Sequence, residues 1–228
     1  MQQVRASLSP IVFIGNLVRS GLVATMNRPG GNVTGVNSLV GDLAGKQLSL
    51  LHDLVPKAAT IAVLSDRILR VQPTALGEPM TLRDARDAAA ALAQQLLVLE
   101  ASTAEEIDAQ FARLDQEPAD AMLVITSPLF VTRARQIAEL AARYRIPAIY
   151  PRREFADAGG LMSYGTNVKE TYRVLGEYAG RILKGEKPSD LPVQQVTRFE
   201  FIINLKTTKA LSLEIPPMLR ALATEVIE

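Results

Sequence analysis

The side chains best suited to chemistry are polar or aromatic residues that follow short apolar runs. Ser65, Thr126 and Ser127 carry hydroxyls, and Asn16 carries an amide. Asp66 could hold an ammonium group, and Arg152 could grip a carboxylate as a two-point fork. Tyr150, Tyr164 and Phe130 add aromatic surface. Together these types suit recognition of a small zwitterion. Each also has a plainer reading. Ser127 caps the helix it precedes, and Asp66 is a solvated loop acid. Arg152 pairs with Glu154 at the surface, and Phe130 and Tyr164 are packing residues. The residues alone leave both readings open, with Tyr150 the strongest ligand candidate.

Catalytic alternatives find little support. The 228-residue chain has no cysteine, which excludes disulfides, thiolate metal sites and cysteine nucleophiles. Its single histidine, His52, lies in "LSLLHDLVP" on the polar side of an amphipathic run and reads as a surface residue. Neither a G-x-G-x-x-G nor a G-x-x-x-x-G-K-[ST] fingerprint occurs. Gly30-Gly31 and Gly159-Gly160 read as turns. Glu105-Glu106 reads as an acidic first turn favoured by the helix dipole. No enzyme activity and no cofactor are expected. Lys and Arg number 25 against 24 Asp and Glu, so there is no basic excess for a nucleic-acid partner. No run reaches the ~18 apolar residues of a membrane span.

These residues need elements to position them. Apolar runs bounded by Pro, Gly and polar residues read as buried strands at "PIVFIG", "NVTGV", "TIAVLS", "LLVLE", "AMLVIT", "IPAIYP", "AGGLMSYG" and "FEFIIN". Helical spacing or capping signals appear in "LVRSGLVATM", "DLAGKQLSLLHDLV", Thr81 to about Gln95, "AEEIDAQFARLDQ", "TRARQIAELAARYR" and "VKETYRVLGEYAGRILKG". Thr103–Glu106 and Asn167–Glu170 are capping boxes. "LKTTKALSL" and "IPPMLRALATEVIE" follow the last strand and read as C-terminal helices. Helix and strand alternate from Asp42 to Pro151, which predicts an α/β fold with a parallel sheet covered on both faces. In such sheets ligands bind beyond the carboxyl ends of the strands. Those ends carry Gly15-Asn16, Ser65-Asp66, Thr126-Ser127-Pro128 and Tyr150-Pro151-Arg152. The flanking segments look like part of a second lobe.

Several stretches in succession, "RPGGNVTGVNSL", "GKQLSLLHDLVP", "IAVLSD", "IAELAARYRIPAIYPRREFADAGGLMSYG" and "GRILKGEKPSDLPVQQVTRFEFIINLKTTKAL", closely resemble a bacterial family of ABC-transporter substrate-binding proteins. The resemblance runs from about Pro10 to Glu228. It implies a two-lobed, type I periplasmic-binding fold that binds a solute, an amino acid or related compound, for an ABC permease. Some members are linked to aromatic amino-acid uptake. Residues 1–36 are then expected to hold part of lobe one and a first crossing, and 37–152 a complete lobe two. Residues 153–190 would return to lobe one, with Ser163-Tyr164 on that side, and 191–228 would hold a final crossing, strand and helices.

The sequence departs from the family pattern. Asn16-Leu17 stand where Asp-Pro is usual, and Ser65-Asp66-Arg67 replace an Asn-Pro motif. The chain also begins at the strand before the first crossing, so lobe one is expected to be incomplete and to drive pairing into a homo-oligomer. The resemblance implies a periplasmic protein, whereas "MQQVRASLSP" lacks the apolar core of a signal peptide. A cytoplasmic ligand-sensing or self-associating remnant is the alternative reading.

Overall fold

The computed structural model describes residues 9–15, 17–18, 20–37, 43–68, 82–195 and 197–228. Among them the strands are β1 (Ile11–Gly15), β2 (Val33–Asn37), β3 (Thr60–Ser65), β4 (Gln95–Glu100), β5 (Ala121–Val124), β6 (Ala148–Tyr150), β7 (Met162–Thr166), β8 (Gln194–Gln195), β9 (Phe199–Asn204) and β10 (Glu225–Ile227). The helices are α1 (Leu43–Leu54), α2 (Leu82–Ala91), α3 (Ala104–Ala112), α4 (Pro128–Thr132), α5 (Ala134–Arg143), α6 (Arg153–Asp157), α7 (Val168–Leu183), α8 (Leu205–Ala210) and α9 (Pro217–Leu222). The chain divides into two compact units.

The larger unit holds the described residues of 43–68, 82–165 and 200–228. Its seven-stranded sheet has the order β10-β9-β7-β6-β5-β3-β4. β4, β3, β5, β6 and β7 pair in parallel, so their carboxyl ends share one edge. Two apolar clusters cover this sheet. One is built on α1 and α2, with Leu48, Leu51, Ile61, Val63 and Leu123. The other is built on α3 and α5, with Ile107, Phe111, Ile137, Leu64 and Val124. Ile61 and Val63 belong to the first cluster and Ala62 and Leu64 to the second. That alternation is the period-two consequence of a strand buried on both faces.

The smaller unit holds the described residues of 9–37 and 166–199. Its three-stranded parallel sheet, β1-β2-β8, packs against α7 through Val36, Val174, Tyr178 and Leu191. The Thr34 hydroxyl donates to the Leu191 carbonyl at 2.6 Å, and the Tyr178 hydroxyl donates to the Pro192 carbonyl at 2.5 Å. These bonds hold the segment leading into β8 against β2 and α7.

The parallel α/β fold agrees with the sequence reading, and five local expectations are corrected. "LVRSGLVATM" forms turns over its described residues, not a helix. Gly21 takes a left-handed φ of +69°, and Leu17, Leu22 and Val23 bury together with Val33 and Val193. The helix expected to reach Gln95 ends at Ala91, because Ala93 turns left-handed at φ +54° and Gln95 opens β4. The C-terminal segment closes on a strand, β10, parallel to β9. β7 sits beside β6 in the large sheet, not with β1 and β2, since Ile149 and Tyr150 pair with Met162 and Ser163. His52 is half-buried, and its Nδ1 is buried with no partner among the described residues. Asp42 and Thr81, expected near helix starts, lie outside the described residues, as does Asn16.

Candidate functional site at the strand ends of the larger unit

The shared edge of the large sheet brings Ser65-Asp66, Thr126-Ser127, Tyr150-Arg152 and Ser163-Tyr164 to one end of four neighbouring strands. β3 lies between β5 and β4 in this sheet, so a residue at its end can reach both neighbours. Asp66, only 5% exposed, does so. Its Oδ2 accepts from the Ser127 hydroxyl at 2.6 Å. Its Oδ1 accepts from the Ile68 amide at 3.0 Å and from the Ser102 hydroxyl, two residues past β4, at 3.3 Å.

Ser127 is fully buried and is the N-cap of α4, its oxygen accepting from the Leu129 amide at 3.1 Å. Pro128 follows at the first helical position, where its missing N–H costs nothing. A second set of bonds runs from Ser102. Its amide donates to Glu106 Oε2 at 2.6 Å, and Arg67 donates to Glu106 Oε1 at 2.7 Å. Thr103 caps α3 by accepting from the Glu106 amide at 3.2 Å. The Ser102 amide and the Arg67 guanidinium hold the Glu106 carboxyl below its usual range. Asp66, Ser102, Glu106 and Arg67 thus close a polar ring around the ends of β3 and β4.

Tyr150 is fully buried and stacks on Phe155, with ring centroids 4.9 Å apart and planes 11° off parallel. Burial pushes its phenol well above the usual tyrosine range. Phe130 is also fully buried and joins the α3–α5 cluster. Arg152 makes a two-point pair with Glu154, Nη2 to Oε1 at 2.5 Å and Nε to Oε2 at 3.2 Å. Burial pushes the Glu154 carboxyl up, but the Arg152 hydrogen bonds prevail and hold it below the ordinary value. Thr126 is half-buried at the strand-end edge, and Ser65 is buried. Tyr164 is half-buried, its ring edge-on to Phe201 and its carbonyl accepting from Gln47 Nε2 at 2.7 Å. A Cβ on Gly165 would lie 2.0 Å from the Pro151 carbonyl oxygen. Only glycine lets β7 approach the end of β6 this closely.

The edge therefore joins Asp66 to Ser127 directly and leaves Thr126, Arg152 and Tyr164 with part of their surface open. The sequence reading did not single out Ser102 as a partner of Asp66, nor the Glu106–Arg67 pair that Ser102 joins to it. The signal was the Ser-Thr-x-x-Glu cluster directly behind a strand. In the smaller unit, a pocket of about 100 Å³ is lined by Val36, Glu170, Thr171, Gln194, Gln195 and Arg198 among others. It gathers none of the predicted ligand contacts. Glu170 there faces two cations, Arg198 at 3.4 Å and Arg173 at 3.7 Å. Among the described residues, no group of three or more His, Cys, Asp and Glu is arranged to hold a metal ion.

The chain is 27% identical over 207 residues to a protein named tyrosine-binding protein from Clostridioides difficile, a match covering 90% of this chain and 57% of the relative. The chain thus spans little more than half the length of that relative. An ABC domain from Streptococcus pneumonia, solved in complex with L-Trp, superposes with a TM-score of 0.78 at 22% identity, over 96% of this chain and 72% of its own. A conserved domain protein from Vibrio cholerae superposes with a TM-score of 0.80 at 20% identity, over 98% and 74%. A substrate binding protein with adhesive properties from Clostridium difficile, in its ligand-free, open form, gives 0.68 at 26% identity, over 96% and 70%. Residues 3–227 match the family described as ABC transporter substrate binding protein, and the chain belongs to that family.

Proposed function

We propose that the protein is the solute-binding component of an ABC import system and binds a small amino acid-like compound without catalysis. The family match over residues 3–227 carries this reading. The chemistry of the strand-end edge agrees with it. Arg152 offers a guanidinium for a carboxylate, Thr126 a hydroxyl, and Tyr164 an aromatic edge, while Ser65, Asp66 and Ser127 form the polar floor. The relative's name, tyrosine-binding protein, makes an aromatic amino acid the first candidate. In this reading the solute lies in the inter-lobe cleft of a type I periplasmic-binding fold, which closes over it by a hinge motion. Work outside the cytoplasmic membrane with an ABC permease follows from the same reading. Among the described residues no helix is long and apolar enough to cross a membrane.

The test is thermal unfolding with each amino acid in turn, followed by titration calorimetry of those that stabilise. A ligand that binds only the folded chain raises the midpoint steadily with concentration. The chain contains no tryptophan, so emission from added L-Trp reports binding directly. Stabilisation by L-Tyr or L-Trp is expected. An unfolding midpoint unmoved by every amino acid overturns the reading.

A further inference from the structure

We infer that Asp66 is a positioning residue of the binding edge, acting through Ser127 and Ser102 rather than through a bond to the solute. This rests on the proposed reading that the strand ends bind a solute. An ionised carboxylate has about four acceptor positions. In Asp66 donors from Ser127, Ile68 and Ser102 already take three of them. Burial at 5% exposure leaves little of the group for a ligand ammonium. Two of these partners, Ser127 and Ser102, stand past the ends of β5 and β4, the two strands flanking its own.

The bonds run in one direction. The Ser127 hydroxyl has one proton, and the 2.6 Å contact spends it on Asp66. The Ser127 oxygen is thereby left to accept, and it accepts the Leu129 amide that opens α4. A hydroxyl fixed as donor to a carboxylate is a stronger and better-aligned acceptor for that amide. Asp66 so sets the path of residues 125–129, and with it the placement of the half-buried Thr126. On the other side, Ser102 links the same carboxylate to the Glu106–Arg67 pair. The end of β3 is held from both neighbours, and the edge is fixed before any solute arrives. Such preorganisation raises affinity by removing the cost of ordering the loops on binding.

The test pairs Asp66→Ala, Asp66→Asn, Ser127→Ala and the Asp66→Ala/Ser127→Ala double variant. Amide hydrogen exchange is read in the ligand-free chain, and L-tyrosine affinity by calorimetry. Asp66→Ala is expected to speed exchange at the Leu129 amide, which Asp66 does not touch, and to weaken L-tyrosine about tenfold or more. Asp66→Asn has one acceptor oxygen in place of two, so that facing Ser127 it turns its NH2 toward the Ile68 amide, and it is expected to recover only part of both. The double variant is expected to bind no more weakly than the worse single one, because the two residues act as one unit. Ile137→Val, a core truncation in α5, lowers stability and leaves the affinity of the wild type. Lost affinity with Leu129 exchange unchanged, or losses that add in the double variant, overturns the inference and makes Asp66 a direct contact. If the wild type binds no amino acid, the proposed function fails. The exchange at Leu129 and the coupling of the two substitutions in thermal unfolding still decide whether Asp66 braces the edge.

Discussion

Arg153 and Glu225 form a two-point ion pair, Nη1 to Oε2 at 2.6 Å and Nη2 to Oε1 at 2.7 Å. Arg153 Nε also reaches Asp157 at 3.1 Å. The pair joins the first residue of α6 to the first residue of β10, across 72 positions of sequence. Both side chains remain about a third or more exposed, so solvent screens much of the gain. Glu225→Ala is expected to cost about 0.5–1 kcal/mol, an effect that shrinks in high salt. Urea unfolding at low and high ionic strength measures it.

Gly160 faces the Tyr150–Phe155 stack. A Cβ there would lie 2.5 Å from Tyr150 Cε2 and 2.8 Å from the Phe155 carbonyl oxygen. The ring is fully buried and the carbonyl is backbone, so neither can withdraw freely. Gly160→Ala is expected to destabilise the chain by about 1–3 kcal/mol. Equilibrium unfolding with near-ultraviolet dichroism of the tyrosines checks both the loss and the disturbed ring.

Among the helices that begin on side-chain caps, α3 and α7 lie one in each unit. Thr103 accepts from the Glu106 amide at 3.2 Å, and Asn167 accepts from the Glu170 amide at 2.9 Å. Thr103→Ala and Asn167→Ala are each expected to cost about 1 kcal/mol. Unfolding of the single and double variants is expected to show additive losses, since the caps share no partner.

Several carboxyls are held below their unfolded value of 4.5. In Glu154, burial raises the pKa but the Arg152 bonds more than offset it. In Glu106, the bonds from Ser102 and Arg67 lower it. In Glu186, the Arg181 bond does. A depressed folded value means that the unfolded chain takes up protons first as pH falls. The stabilisation is therefore complete above the unfolded value of 4.5 and is lost as pH drops through the lower folded values. The unfolding midpoint is expected to be level from about pH 7 to about pH 5 and to decline below that. A decline that begins in the neutral range contradicts this.

The strands were legible because their signal is local. Runs such as "TIAVLS" and "AMLVIT" are too short and too β-branched for helices and lie between turn residues. Capping was legible for the same reason, since Thr103 and Asn167 bond amides three residues away. "LVRSGLVATM" misled because its apolar residues fit a helical face, while Gly21 and contacts to Val193 favour turns. β10 was missed because its partner, β9, ends 21 residues earlier.

The candidate site was legible only in its residue types. Ser127 as a helix cap and Arg152 as the partner of Glu154 both appear in the structure, each a plainer alternative weighed from sequence. Asp66 as the shared acceptor of Ser127 and Ser102 could not be read, because those residues lie 61 and 36 positions away.

The sequence alone determined the alternating parallel α/β plan, because hydrophobic period, turn residues and caps act over a few positions, and the resemblance of whole stretches to known members pointed to the family. Tertiary structure decided which polar groups meet. Strand order β5-β3-β4 sets Asp66 between two serines, and burial commits its oxygens to protein donors. Hydrogen bonds reach about 3 Å, and only the folded sheet brings residues so distant in sequence within that reach.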